Sequence, residues 1–142
     1  MAVDRSPAGI AILHERASAS GLVIDTRIAD LEAGEFVLEG NTYDLIVDCN
    51  YLRRDLFPRI RAAVRPGGRV VAMIQMVDDS PDVAPMNPNY LLRNGELREF
   101  FAGWEILHDA ERRPRPKSRM VAELIAQSGA GPRRSPTCHL RI

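Results

Sequence analysis

The chain has 142 residues, 45% of them hydrophobic and 27% charged, with 19 basic and 19 acidic side chains. That length and apolar share fit one globular domain and exclude wholesale disorder, and the cancelled charge excludes a global field that would draw nucleic acid or an anionic membrane. No apolar run reaches the ~20 residues of a membrane span, no secretory signal is visible, and two cysteines, Cys49 and Cys138, make no disulfide framework, so a soluble cytoplasmic domain is expected.

Ser6 followed by Pro7 reads as an N-cap and a first helical position, where the missing N–H of proline costs nothing. Ile10, Leu13, His14 and Ala17 continue at helical spacing and Gly21 stops them, which predicts a helix over about 6–20. Leu22 to Ala29 is β-branched and predicts a strand; Leu31 to Thr42 is polar and predicts a loop. Tyr43 to Cys49 is a nearly continuous apolar run, the pattern of a parallel strand buried on both faces.

Asp55 is placed to cap a helix that takes Pro58 in its first turn and carries Leu56, Phe57, Ile60, Ala63 and Val64. Arg65-Pro66-Gly67-Gly68 is read as an abrupt end to it, before a strand at Val70–Ile74. Gln75 to Pro88, with three prolines and several acids, predicts a loop suited to cover a site. Asn94 or Gly95 opens a helix bearing Leu97, Phe100 and Phe101, and Gly103 closes it. Trp104–His108 alternates as a strand, Glu111–Ser118 is a basic turn, and Arg119–Gln127 supplies a last strand. Ser128 to Ile142 reads as a mobile tail. Strands alternating with helices imply an α/β sheet, mostly parallel, with an antiparallel hairpin at its C-terminal end.

Three stretches, taken in order, carry more than fold class. They are Val3-Asp4-Arg5-Ser6-Pro7, then Ala29-Asp30-Leu31-Glu32, then Tyr43-Asp44-Leu45-Ile46-Val47 with a helix and Arg65-Pro66-Gly67-Gly68-Arg69-Val70-Val71. Together they resemble the class I S-adenosylmethionine-dependent methyltransferases, with their Rossmann-like sheet. Asn50-Tyr51-Leu52, Leu56-Phe57-Pro58 and Asn87-Pro88-Asn89-Tyr90-Leu91-Leu92 with Gly95-Glu96-Leu97 narrow this to small bacterial methyltransferases of the tellurite-resistance type. The resemblance covers roughly residues 1–127 as a partial methyltransferase domain.

It implies S-adenosyl-L-methionine as cofactor and methyl transfer to a small-molecule nucleophile. By resemblance Asp4, with Arg5 beside it, receives the ribose hydroxyls. A carboxylate suits that role because it has two acceptor oxygens and no donor. Asp30 meets the adenine amino group and Leu31 packs on the ring. Cys49 and Asn50, at the carboxyl end of their strand, line the cofactor. Asn50 and Tyr51 lie near the transferred methyl, and Tyr51, Tyr90 and Arg93 face the substrate. No general base and no metal site is indicated. The local alternatives are an acid beside a helix start for Asp4, a turn-forming Asp30, and a small buried hydrophobe for Cys49. Asp48 departs from the apolar residue expected at its place. Arg112, Arg113, Arg115, Lys117 and Arg119 read as a solvated turn, since no aromatic residues interleave them.

The family's glycine-rich loop, which lets backbone approach the methionine part of the cofactor, belongs about 20 residues before the first acid by the analogous dinucleotide spacing. Gly9, Gly21, Gly34 and Gly40 are misplaced for it. The sequence thus reads as an N-terminally shortened methyltransferase, impaired in cofactor binding, whose missing first strand belongs between the Asp4 strand and the Tyr43 strand. The alternative is a non-catalytic remnant or interaction module whose open sheet edges pair with another chain or a second copy. A nicotinamide-binding domain is disfavoured more severely, since phosphate recognition needs that loop.

Overall fold

A computed structural model describes residues 1–129. The chain divides into two units, Met1–Leu38 and Glu39 onward, and the strands fall into two sheets.

In the first unit, β1 (Ala2–Asp4) leads to α1 (Pro7–Ala19) and then to β2 (Thr26–Ile28). The helix starts where the sequence places it: the Ser6 side chain accepts a hydrogen bond from Gly9 N at 3.1 Å, and Pro7 follows the cap. Its inner side buries Ile10 and Ala17, and His14 Nε2 meets Thr26 Oγ1 at 2.9 Å. β1 and β2 pair in parallel, with Asp4 opposite Ile28. The strand expected from Leu22 shrinks to three residues. Leu22 N donates back to Ala17 O, closing the helix end, Val23 is 98% exposed, and β1 offers only three residues to pair with.

The second unit holds β3 (Tyr43–Cys49), α2 (Leu56–Ala63), β4 (Val64–Gln75), a 3-10 turn at Pro88–Tyr90, α3 (Glu96–Glu99), β5 (Glu105–Arg112) and β6 (Val121–Gln127). Its sheet runs β3-β4-β6-β5. β3 and β4 are parallel, whereas β6 is antiparallel to both neighbours, so the expected hairpin is present with β5 at the edge. Val70, Ala72 and Ile74 of β4 and Ala122, Leu124 and Ala126 of β6 form the buried face. Helices α2 and α3 contact β4 and β6. Phe57 stacks on Phe100 at 4.1 Å between ring centroids and meets Phe101 edge-on at 6.0 Å, the latter in the edge-to-face geometry that ring quadrupoles favour.

Three expectations are corrected here. β3 is not buried on both faces: Leu45 is 53% and Val47 57% exposed. The register explains it, because Asp48 stands beside buried Ala72 while Val47 stands beside Val71, on the face these helices leave bare. Arg65-Pro66-Gly67-Gly68 does not end a helix; it is a bulge inside β4, where two steps along β3 (Tyr43 to Leu45) match five along β4 (Val64 to Arg69). Gly67 takes φ +80°, and a Cβ on Gly68 would come within 2.8 Å of Val64 Cγ1 and 3.0 Å of the Asp44 carbonyl oxygen, so both glycines answer to geometry. Finally, Ser128 is a buried clasp on that bulge. Its hydroxyl donates to Arg65 O at 2.6 Å and its N–H to Gly68 O at 2.9 Å. The rest of the predicted tail, 130–142, lies outside the described residues.

Candidate functional site

The first unit brings Asp4 and Asp30 to the carboxyl ends of adjacent parallel strands. Ala29 N donates to Asp4 O at 3.1 Å, which extends the β1–β2 pairing up to Asp30. Each carboxylate is half engaged in a local turn. Asp4 Oδ1 accepts from Ser6 N at 2.8 Å, and Asp30 Oδ1 accepts from Glu32 N at 2.7 Å and Ala33 N at 3.3 Å. Asp30 is therefore the turn-former its type favours, and its own N–H donates to Glu35 Oε2 at 2.8 Å. Among the described residues, Oδ2 of each accepts no hydrogen bond. Arg5 is exposed and Leu31 half-buried.

In the second unit the exit from β3 carries Asp48, Cys49, Asn50 and Tyr51. Cys49 is a free and exposed thiol, not a buried hydrophobe, because it sits on the bare face with Val47. Asn50 turns the chain in the left-handed region at φ +59°, which asparagine tolerates better than most residues, and its N–H donates to Met73 O at 2.7 Å. Tyr51 is half-buried.

Asp48 faces the core and is 8% exposed. Its Oδ2 is buried without a hydrogen-bond partner among the described residues. Burial pushes its carboxyl up to about 6, against the opposing hydrogen bond from the Tyr51 backbone. A desolvated carboxyl at the carboxyl end of a parallel strand combines two marks of functional sites. The acid inside an apolar strand run was its only signal in the sequence.

Beyond β3, Arg54 organises a second cluster that sequence reasoning missed. Its Nε donates to Glu96 Oε1 at 2.6 Å and its Nη2 to Glu96 Oε2 at 3.0 Å. Nη2 also reaches Leu91 O at 3.1 Å and Nη1 reaches Asn89 O at 3.0 Å. Glu96 is only 4% exposed, and it also accepts from Arg93 N at 2.9 Å. Burial works to raise its carboxyl, but the Arg54 hydrogen bonds and the Arg93 N–H outweigh it and the net shift is downward. Arg93 itself is 77% exposed, its Nε 3.5 Å from Glu96 Oε2, and Tyr90 is 51% exposed. Nothing in a bare arginine following another arginine distinguished Arg54. Asp55, expected to cap α2, makes no side-chain cap; its carboxylate takes Arg53 Nε at 2.7 Å instead.

The loop after β4 is anchored from within. Asp78 accepts from Arg113 Nη2 at 2.9 Å, Met120 N at 2.8 Å and Ser80 N at 3.1 Å, and the Arg113 guanidinium, with those N–H groups, holds its carboxyl down at about 2. Arg119 donates to Ala84 O and Arg112 pairs with Glu123. Much of the basic turn thus serves internal contacts. Among the described residues no group of three or more His, Cys, Asp or Glu side chains converges as metal ligands, and no helix is long and apolar enough to cross a membrane.

No family model matches the chain, and no curated protein matches it in sequence. Solved structures do match it. It is similar to TehB from Haemophilus influenzae, at 23% identity and a TM-score of 0.68, over 89% of this chain and 48% of that one. It is similar to an S-adenosylmethionine-dependent methyltransferase from Mesorhizobium loti, at 19% identity and a TM-score of 0.60, over 88% of this chain and 78% of that one. A third is 1,6-didemethyltoxoflavin-N1-methyltransferase from Burkholderia thailandensis, solved with S-adenosylhomocysteine, at 14% identity and a TM-score of 0.55, over 90% of this chain and 70% of that one. The chain spans about half the length of TehB. These likenesses establish a Rossmann-like methyltransferase fold, the fold class read from the sequence. A [4+2]-cyclase shares it, so fold alone does not fix the reaction.

Proposed function

We propose that this methyltransferase fold serves methyl transfer from S-adenosyl-L-methionine to a small-molecule nucleophile. The observation that carries the reading is the pair Asp4 and Asp30 at the tips of neighbouring parallel strands, each with one carboxylate oxygen outside its local turn. Asp4 Oδ2 is suited to accept from ribose hydroxyls, with Arg5 beside it, and Asp30 Oδ2 from the adenine amino group, with Leu31 against the ring. The Asp30 N–H is engaged by Glu35, so recognition of adenine there rests on the side chain. In the second unit Cys49 and Asn50 are the cofactor-side candidates, and Tyr51, Tyr90 and Arg93 the substrate-side ones.

When bound, the cofactor supplies a methyl already activated on a sulfonium. The residues then have mainly to align it with the nucleophile, and alignment is worth up to ~7–11 kcal/mol. No residue is assigned as a base; a nucleophile that arrives deprotonated needs none.

Isothermal titration of the intact chain with S-adenosylhomocysteine tests the reading. Saturable heats are expected, weakened about 10–100-fold in Asp30→Ala, the loss that goes with a hydrogen bond to a charged group. Flat heats from folded protein at about 1 mM ligand count against cofactor binding. β3 is the terminal strand of its sheet and shows Leu45 and Val47 on its bare face, which supports a second reading, a non-catalytic module that pairs through the β3 edge with another chain or a second copy. Light scattering separates the two: a monomer that binds S-adenosylhomocysteine favours methyl transfer, and an oligomer with flat heats favours the module.

A further inference from the structure

Within the second unit, Arg54, Val77, Pro88, Asn89, Leu91 and Arg93 line an open cleft of about 390 Å³. Arg54 lies beyond the carboxyl end of β3 and Val77 beyond that of β4, the end of a parallel pair where ligands of α/β sheets gather. Its walls combine apolar groups (Val77, Pro88, Leu91) with two guanidinium groups, the composition of a small-molecule site.

The charge of the cleft is positive, and its Arg54 half is fixed in place. Among the described residues Glu96 is the one carboxylate paired with both arginines, so two cations share a single anion. Arg54 has five N–H donors; four hydrogen bonds lock it to Glu96, Leu91 O and Asn89 O. Arg93 is different. Its Nε leans on Glu96 at 3.5 Å, while its two terminal nitrogens have no partner among the described residues. The wall beside it is stiffened by Pro88 and by the Asn87 side chain, which accepts from Asn89 N at 3.0 Å. A planar guanidinium fork with free terminal nitrogens matches a carboxylate two oxygens at a time.

We propose that this cleft takes a small organic carboxylate, its charged end on Arg93 and its apolar body against Val77, Pro88 and Leu91. As the identity of the substrate, this rests on the methyl-transfer reading above; as a binding site, it stands independently. The test titrates the intact 15N-labelled chain with phenylacetate and indole-3-acetate, and in parallel with phenylacetamide and indole-3-acetamide, which keep the shape and lose the charge. The acids are expected to shift the amide signals of Val77, Asn89, Leu91 and Arg93 saturably, and the neutral amides to bind about tenfold more weakly, as expected for losing one charge-assisted pair. Arg93→Gln, a change at an exposed side chain, is expected to bring the acids down to the level of the amides while leaving the remaining spectrum unchanged. Equal binding of acids and amides, shifts outside the cleft, or no saturable shift overturns the proposal. Carboxylate shifts together with flat S-adenosylhomocysteine heats uphold the cleft and remove methyl transfer; heats without carboxylate shifts remove the cleft alone.

Discussion

Replacing Glu96 with alanine is expected to cost about 2–3 kcal/mol of stability, read as a lower midpoint in urea unfolding. The side chain is 5% exposed and pairs with Arg54, so its removal leaves a partly buried guanidinium without its anion and leaves Arg93 N without its acceptor. Breaking a fully buried pair costs about 3–5 kcal/mol; Arg54 is 40% exposed, and solvent softens the loss. The pH dependence has a definite sign. The folded-state carboxyl is held below its ordinary range, so its contribution is complete above the unfolded value and is lost as pH falls through the folded one. The Glu96→Ala chain is therefore expected to lie closest to the parent in acid. An unchanged midpoint at neutral pH would show that the Arg54 cluster is ornamental to stability.

Asparagine at Asp48 is expected to act in the opposite sense. Burial raises the Asp48 carboxyl from 3.8 to about 6. Below the unfolded value both states are protonated and folding meets no ionisation penalty. As pH rises from there through about 6, the unfolded state ionises first and stability falls, and above about 6 the loss is constant. At about 1.4 kcal/mol per pH unit the full effect is about 3 kcal/mol. Asparagine keeps the shape and cannot ionise, so the stability of the variant relative to the parent should rise by about 2 kcal/mol between pH 4 and pH 7.5, most of the full effect, whatever its constant offset. Unfolding free energies at the two pH values measure it, and parallel profiles would refute it. An ionisable group kept at such a cost at the exit of β3 is the kind of strain that functional sites retain.

Local chemistry made much of the fold legible. Ser6-Pro7 and Gly21 bracket α1 because caps are short-range devices, and Tyr43–Cys49 is recovered residue for residue because its apolar run has turn residues on either side. The failures are those of context. Leu22 and Val23 favour strand but had no strand to pair with. Leu45 and Val47 have the composition of a doubly buried strand, yet burial depends on what lies above them. Gly67-Gly68 looks identical as a helix stop and as a bulge until Val64 pairs with Tyr43. The placement of Asp4 and Asp30 at strand ends was readable because strand ends are marked in sequence. Arg54 and Glu96 were not, since 42 residues separate two groups that meet at 2.6 Å and no periodicity links them.

The triple hold on Asp78 has an evolutionary corollary. The proline-bearing stretch after β4 does not dictate its own course; the β5–β6 hairpin does, through Arg113 and the Met120 amide. Insertions or deletions in that distant turn would be transmitted to the rim of the carboxylate cleft at Val77 without touching any residue that lines it, so a change of ligand preference can arise by drift in a turn that faces solvent.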